Sequence, residues 1–315
     1  MAETHAPVTT VSPSPSPAGT RHRGRFAPSP TGPLHLGSLV AAVGSWLFAR
    51  HRGGDWLLRI EDIDPPREQA GAARQQLATL AAFGLVPDAP VLWQSSRGDA
   101  YAAALECLLA SDRAFTCACS RSELAAYGGI HRSCVAASAA PGCDERPLAI
   151  RLRVDAGVVG FVDAIQGRVE QDVAREVGDF VLRRADGWWA YQLAVVVDDA
   201  AQGITEVVRG ADLLASTPRQ ILLQRALGLP TPAYAHLPLV LDAQGRKLSK
   251  TDAARPVDPG DPLPALRHAL AWLGQDVRAT TGAANAQTAL QRALAVFDPG
   301  RIPSGGAPAA VGDNG

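Results

Sequence analysis

His35, Ser38, Lys247 and Lys250 have the types and spacing that suit phosphate chemistry. His35 stands in the stretch Arg25-Phe26-Ala27-Pro28-Ser29-Pro30-Thr31-Gly32-Pro33-Leu34-His35-Leu36-Gly37-Ser38-Leu39. Each proline fixes φ and glycine permits positive φ, so residues 28–33 must turn tightly. From Gly37 the chain runs Ser-Leu-Val-Ala-Ala-Val-Gly-Ser-Trp-Leu-Phe-Ala-Arg, an apolar helix. The start of that helix aims free N–H groups and a positive dipole end at the turn, which suits a phosphate. His35 sits just before it and can donate to phosphate oxygens. The bland alternative is a surface histidine at an ordinary strand-to-helix turn. Lys247 and Lys250 are the only lysines of the chain, and both fall in one four-residue block within Arg246-Lys247-Leu248-Ser249-Lys250-Thr251. Alone, such a block is a solvated loop. Behind a strand at residues 236–241 and a turn at Gly245, its two ammonium groups can face an anion.

A second set of residues suits a metal. Cys117-Ala118-Cys119 and Gly128-Gly129-Ile130-His131-Arg132-Ser133-Cys134 put three cysteines and a histidine within 18 residues. Cys117, Cys119, His131 and Cys134 make one tetrahedral set, and the glycine pair lets the chain fold back. Zinc takes four such ligands at about 2.0–2.3 Å, and a site with all four filled is structural. Cys143 is a spare ligand. Glu61 ends the apolar run Trp56-Leu57-Leu58-Arg59-Ile60 and can accept hydrogen bonds from an ammonium group. Asp62 and Asp64 read as a solvated acidic loop that caps the next helix.

These residues need strands and helices to position them, and the pattern supplies both. Strands are expected at 25–27, 56–60 and 91–93, with helices from 37, at 67–83 and at 99–110, where Cys107 lies on the apolar face. This alternation indicates a Rossmann-like half. From Leu148 the pattern turns to strands at 148–154, 158–163 and 180–183, with a hairpin at Ala185-Asp186-Gly187. Residues 191–199 read as a buried strand that returns the chain to the sheet. A helix at 218–227 follows, entered by Ser216-Thr217-Pro218. Two amphipathic helices, 262–274 and 284–297, come last.

The composition is globular, with 47% hydrophobic and 19% charged residues and a net charge of −1 over 315 residues. That length buries a real core in one large or two modest domains. The charge total does not advertise a nucleic-acid binder, although a local basic face does not show in a total. The first 20 residues alternate Ser and Pro, lack the apolar core of a secretory signal, and read as a disordered tail. No apolar run approaches the ~18 residues of a membrane span. Five cysteines, an odd and clustered set, favour metal over a disulfide framework. A cytoplasmic protein is expected.

The phrase Pro-Ser-Pro-Thr-Gly-x-Leu-His-x-Gly resembles the ATP-binding signature of class I aminoacyl-tRNA synthetases, in the glutamyl and glutaminyl subgroup. Their usual His-x-Gly-His has Ser38 in its fourth place here. The lysine block resembles their second signature, Lys-Met-Ser-Lys-Ser, with Leu248 for Met and Thr251 for Ser. The resemblance runs from residue 23 to about 275. It implies an α/β fold: a Rossmann-like class I catalytic domain at 23–111 and 191–255, with a zinc-bearing α+β domain of acceptor-binding type inserted at 112–190. Short C-terminal helices at 256–300 and tails at 1–22 and 301–315 complete it.

The resemblance also implies roles. His35, Gly37, Ser38 and Lys250 hold ATP, with Mg²⁺, and His35, Lys247 and Lys250 serve catalysis by stabilising the departing pyrophosphate. Arg25, Phe26, Ala27, Pro28, Ser29, Glu61, Tyr191 and Arg209 form the L-glutamate site. Arg25 and Arg209 bind the carboxylates and Glu61 the α-ammonium. A full glutamyl enzyme continues with a helical anticodon-binding domain, whereas this chain stops about 65 residues after Lys250. That ending, the cysteine cluster and the Tyr191-to-Asp199 stretch resemble the glutamyl-queuosine tRNA(Asp) synthetase family. The implied activity is ATP-dependent, tRNA-independent activation of glutamate. Transfer to the cyclopentene-diol of queuosine in the anticodon of tRNA(Asp) follows. The alternatives are a glutamyl-tRNA synthetase reduced to its catalytic body and a non-catalytic tRNA-binding protein.

Overall fold

The computed structural model describes residues 8–11, 21–135, 147–240 and 255–305. Its elements in chain order begin with β1 (Val8–Val11), β2 (Arg23–Phe26), α1 (Leu36–His51), β3 (Asp55–Ile60), α2 (Ala72–Ala82), β4 (Leu92–Trp93) and α3 (Gly98–Ala110). Then come β5 (Ala114–Cys117), α4 (Arg121–Ala125), β6 (Ala149–Leu152), β7 (Val158–Asp163), β8 (Gly167–Asp172), α5 (Val173–Glu176) and β9 (Val181–Arg183). The chain continues with α6 (Tyr191–Ala201), β10 (Glu206–Gly210), α7 (Thr217–Ala226), β11 (Ala233–Leu237), α8 (Pro262–Trp272) and α9 (Ala286–Ala295). No helix among the described residues is long and apolar enough to cross a membrane.

Strands β2, β3 and β4 pair in parallel, with Arg25 opposite Leu57 and Ile60 opposite Trp93. Strands β10 and β11 pair in parallel, Arg209 opposite His236. The two groups meet where the Thr205 N–H donates to the Arg23 carbonyl at 3.0 Å, beside β2 and β10. The chain first builds outward from β2 and later outward from β10 on its other side. In such sheets ligands bind at the carboxyl ends of the strands on either side of this reversal. Helix α1 is buried at ten of its 16 positions, as an all-round apolar helix must be. It packs on the sheet through the Trp56 indole, whose N–H donates to Ser45 Oγ at 2.9 Å. Its far side meets α8 and α9, which close the main core.

Several expectations need correction. Residues 191–199 form helix α6, not a strand. The run is apolar at almost every position, so periodicity does not separate a buried strand from a buried helix. The helix is buried from Gln192 to Val196 and again at Asp198 and Asp199, and packing on all sides overrides the modest helix preference of its valines. Cys107 is exposed, not core, because α3 buries Tyr101, Leu105 and Leu108 and turns position 107 outward. Val8–Val11, in the tail taken as disordered, pairs in parallel with β7. Strand β7 in turn joins β11 through Asp163 and Tyr234, so part of the 112–190 stretch belongs to the main sheet. The antiparallel sheet β5-β6-β9 stands apart from it.

Helix α6 is tied to β4 and α3 by Asp198, which is fully buried. It accepts from Gln94 Nε2 at 2.9 Å, Arg97 Nε at 3.0 Å and the Tyr101 hydroxyl at 2.6 Å. Asp198→Ala strands those donors and is expected to destabilise the chain by about 3–5 kcal/mol. A urea-unfolding midpoint unchanged from wild type would show that the hub does not hold α6.

Candidate active site and metal centre

The turn after β2 leads directly into α1. Gly32 has φ +147°, the backbone freedom that the turn requires. Gln76 on α2 pins the turn, donating from Nε2 to the Ser29 carbonyl at 3.0 Å and to the Gly32 carbonyl at 2.7 Å. The Pro28 carbonyl accepts from the Glu61 N–H at 3.0 Å and so fixes the turn to the end of β3. His35 is the N-cap of α1, its Nδ1 accepting from the Ser38 N–H at 3.3 Å. The neutral ring then carries its proton on Nε2, which lies 3.2 Å from Ser38 Oγ. A Cβ at Gly37 would sit 3.0 Å from His35 Cε1, so glycine leaves room for the imidazole. A cavity of about 600 Å³ opens here at the carboxyl ends of β2, β10 and β11. Phe26, Pro28, Ser29, His35, Gly37 and Ser38 line it, together with Gly210 and Asp212. Ala27 is half-buried beside them. Lys247 and Lys250 lie outside the described residues.

The expected amino-acid residues converge behind this cavity. Buried Arg25 donates Nε and Nη2 to the two oxygens of Asp199, each at 3.1 Å. Arg59 is fully buried and donates Nη1 to Asp199 at 2.7 Å and Nη2 to Glu61 at 3.2 Å. Arg209 donates to His236 Nε2 at 3.0 Å, the Tyr191 hydroxyl at 3.3 Å, and Thr217 Oγ1 and Gln220 Oε1 at 2.8 Å. Because His236 Nε2 accepts, its Nδ1 carries the proton and donates to Asp163 at 2.6 Å.

Burial raises the pKa of the Glu61 carboxyl, against the pull of Arg59 and Arg25. Burial also acts upward on Asp199, but Arg25 and Arg59 outweigh it and hold this carboxyl at about 2. Burial raises the Tyr191 phenol, which feels the charges of Arg209, Glu61, Arg25 and Asp199. Four elements thus deliver Arg25, Glu61, Tyr191 and Arg209 to one place. Arg25 keeps Nη1, and Glu61 keeps Oε2, without a protein partner among the described residues.

Cys117, Cys119, His131 and Cys134 also come together, with one ligand atom of each within 4.8 Å of the others. Gly128 and Gly129 have φ of +68° and +77°, the fold-back their sequence suggests. His131 Nδ1 lies 2.9 Å from Asp179, the carboxylate that orients a ligating imidazole. Burial and the neighbouring Cys117 push the Cys134 thiol up to about 11. The donor set fits a metal ion. Cys143 lies outside the described residues.

The family described as tRNA synthetases class I (E and Q), catalytic domain, matches residues 21–274. The glutamyl-Q tRNA(Asp) synthetase of Xanthomonas campestris pv. campestris is 63% identical over 287 residues, 90% of this chain and 93% of that protein. The glutamyl-Q tRNA(Asp) synthetase of Burkholderia cenocepacia is 58% identical over 80% of this chain and 88% of its own length. The chain belongs to the glutamyl-Q tRNA(Asp) synthetases of class I. Among solved structures, a glutamate tRNA ligase from Elizabethkingia meningosepticum in complex with its amino acid is similar, with a TM-score of 0.74 and 28% identity over 91% of this chain and 67% of that one.

Several residues of this candidate site were not legible from sequence motifs: Arg59, Asp163, Asp199, Gln76 and His236. Arg59 did leave a signal, since a charge within a buried apolar strand demands a counter-charge. Its partner Asp199 stands 140 residues away, and only the fold brings them together.

Two outcomes test this geometry. Asp199 has a folded-state pKa below its ordinary 3.8, so its stabilisation is complete above about pH 4 and is lost as pH falls toward 2. The loss amounts to about 2–3 kcal/mol at 1.36 kcal/mol per pKa unit. Urea titrations between pH 2 and 5 should show it in wild type and a smaller pH dependence in Asp199→Asn. Equal slopes would count against the pairing. Gly178 has φ +71°, and a Cβ there would overlap the His131 carbonyl oxygen. Gly178→Ala should therefore lower bound metal per chain several-fold in metal analysis, which an undisturbed His131 would not do.

Proposed function

We propose that this chain activates L-glutamate with ATP, without tRNA, and transfers it to the cyclopentene-diol of queuosine in the anticodon of tRNA(Asp). The observation that carries this is the convergence of Arg25, Glu61, Tyr191 and Arg209 beside the His35 cavity. The names of the close relatives support the acceptor.

In the proposed first step, the α-carboxylate of glutamate attacks the α-phosphate of ATP and pyrophosphate departs. No protein nucleophile is required, so positioning and charge stabilisation carry the step. Arg25 Nη1 and Arg209 bind carboxylate oxygens, and the protonated Tyr191 hydroxyl accepts from Arg209 at 3.3 Å beside them. Glu61 Oε2 accepts from the α-ammonium. Aspartate is one methylene short of spanning these groups, and glutamine leaves a guanidinium without an anion. His35 and the start of α1 receive the phosphates, with Mg²⁺ as the ATP counter-ion. Lys250 and Lys247 neutralise the leaving pyrophosphate. In the second step a diol hydroxyl attacks the mixed anhydride and AMP leaves.

Residues 112–190 serve as the zinc-bearing, RNA-facing part of the fold. Zinc held by Cys117, Cys119, His131 and Cys134 supplies folding energy to that region rather than a reactive centre.

Glutamate-dependent exchange of pyrophosphate into ATP should proceed without tRNA. Labelled glutamate should then appear on tRNA(Asp) carrying queuosine and be absent from the same tRNA lacking it. Nuclease digestion should place the label in the anticodon fragment. Label on a 3′-terminal adenosine, or exchange seen only with tRNA, would refute the proposal.

A further inference from the structure

A second cavity, of about 380 Å³, lies between the segment after β3 and the turn before α6. Asp62, Glu68, Gln94, Ser95 and Trp188 are among its walls. Asp62 directly follows Glu61 in the chain.

Its chemistry is one-sided. Asp62 accepts from the Ser95 N–H at 2.9 Å and the Ser95 hydroxyl at 2.6 Å. Glu68 accepts from the Asp64 N–H at 3.1 Å. Neither carboxylate has an ion-pair partner among the described residues, because the nearby Arg67 and Arg184 both pair with Asp64. Gln94 is 1% exposed, and its Nε2 is committed to Asp198. Its Oε1 is a buried acceptor with no protein partner. A buried acceptor left unpaired is costly, and this one belongs to a residue that lines an open cavity.

Two adjacent tryptophans differ in a way that supplies the remaining wall. Trp189 is fixed, edge-on to Tyr101 at 5.6 Å and beneath the Arg183 guanidinium at 5.0 Å. Trp188 is 41% exposed. It follows Gly187, whose φ of +90° makes the turn that presents it.

Unpaired acceptors, uncompensated negative charge and one aromatic face call for a flat, cationic ligand rich in N–H donors. A guanine-type ring bearing a protonated aminomethyl arm meets that description, and queuosine is such a base. We propose that this cavity seats the modified base itself. The ring stacks on Trp188, its N–H edge donates to Gln94 Oε1, and Asp62 and Glu68 hold the cationic arm. An arm held by Asp62 is one residue along the chain from Glu61, the group proposed to hold the activated glutamate. Single-stranded RNA bases are read in this manner, splayed out and stacked on an aromatic face. The inference rests on the activity proposed above.

The test separates the two steps. Trp188→Ala should leave tRNA-independent pyrophosphate exchange unchanged. It should raise KM for queuosine-bearing tRNA(Asp) by about ten- to a hundredfold, the usual scale for a lost base stack. Trp188→Phe should restore most of that affinity. Glu68→Gln, which keeps the acceptor and removes the charge, should also raise KM. An unchanged KM in Trp188→Ala and Glu68→Gln would overturn the proposal. So would a Trp188→Ala loss of exchange equal to its loss of transfer. Wild-type protein that exchanges pyrophosphate but labels no queuosine-bearing tRNA would instead overturn the proposed activity, and this seat with it.

Discussion

Asp199 holds two guanidinium groups where water barely reaches. Each buried charge is expensive alone, and the three persist together because each arginine donates directly to the same carboxylate. The groups come from β2, β3 and α6, so the ion cluster is also a joint between the sheet and the helix that follows the small antiparallel sheet. Glu61 hangs from the same joint through Arg59. The orientation of Arg25 and Glu61 depends on this joint, and any shift of α6 would carry Tyr191 with it.

A second polar chain leads through the sheet from Arg209. His236 Nε2 accepts from Arg209, and its Nδ1–H donates to Asp163. Burial, followed by the nearby positive Arg209, lowers the His236 pKa, although Asp163 pulls the other way. The neutral ring can therefore orient the guanidinium without adding charge. Burial would raise Asp163, but hydrogen bonds from His236 and from the Gln166 N–H bring it below the ordinary carboxylate range. Asp163 ends β7, so the strand that extends the main sheet also braces Arg209 through His236.

The Cys/His cluster works on another scale. Its ligands lie close in the chain, and Asp179 ties them to the loop before β9. Trp188 and Trp189 follow the next turn. A metal ion held by this cluster would thus bear on the wall of the second cavity as well as on the cluster itself.

The sequence by itself determined what local chemistry can determine. Prolines and glycine set the turn before α1, and short spacing gathered Cys117, Cys119, His131 and Cys134. The 3.6-residue pattern marked α8 and α9. The two signatures pointed to the family and, through it, to Arg25, Glu61, Tyr191 and Arg209. Tertiary structure decided the rest. It made residues 191–201 a helix, because an unbroken apolar run carries no period and burial on every side chose between the two states. It paired Arg25 with Asp199 across 174 residues and placed Gln94 and Trp188 in one wall. Charge pairing and cavity walls depend on which distant elements pack together, and no short stretch of sequence contains that information.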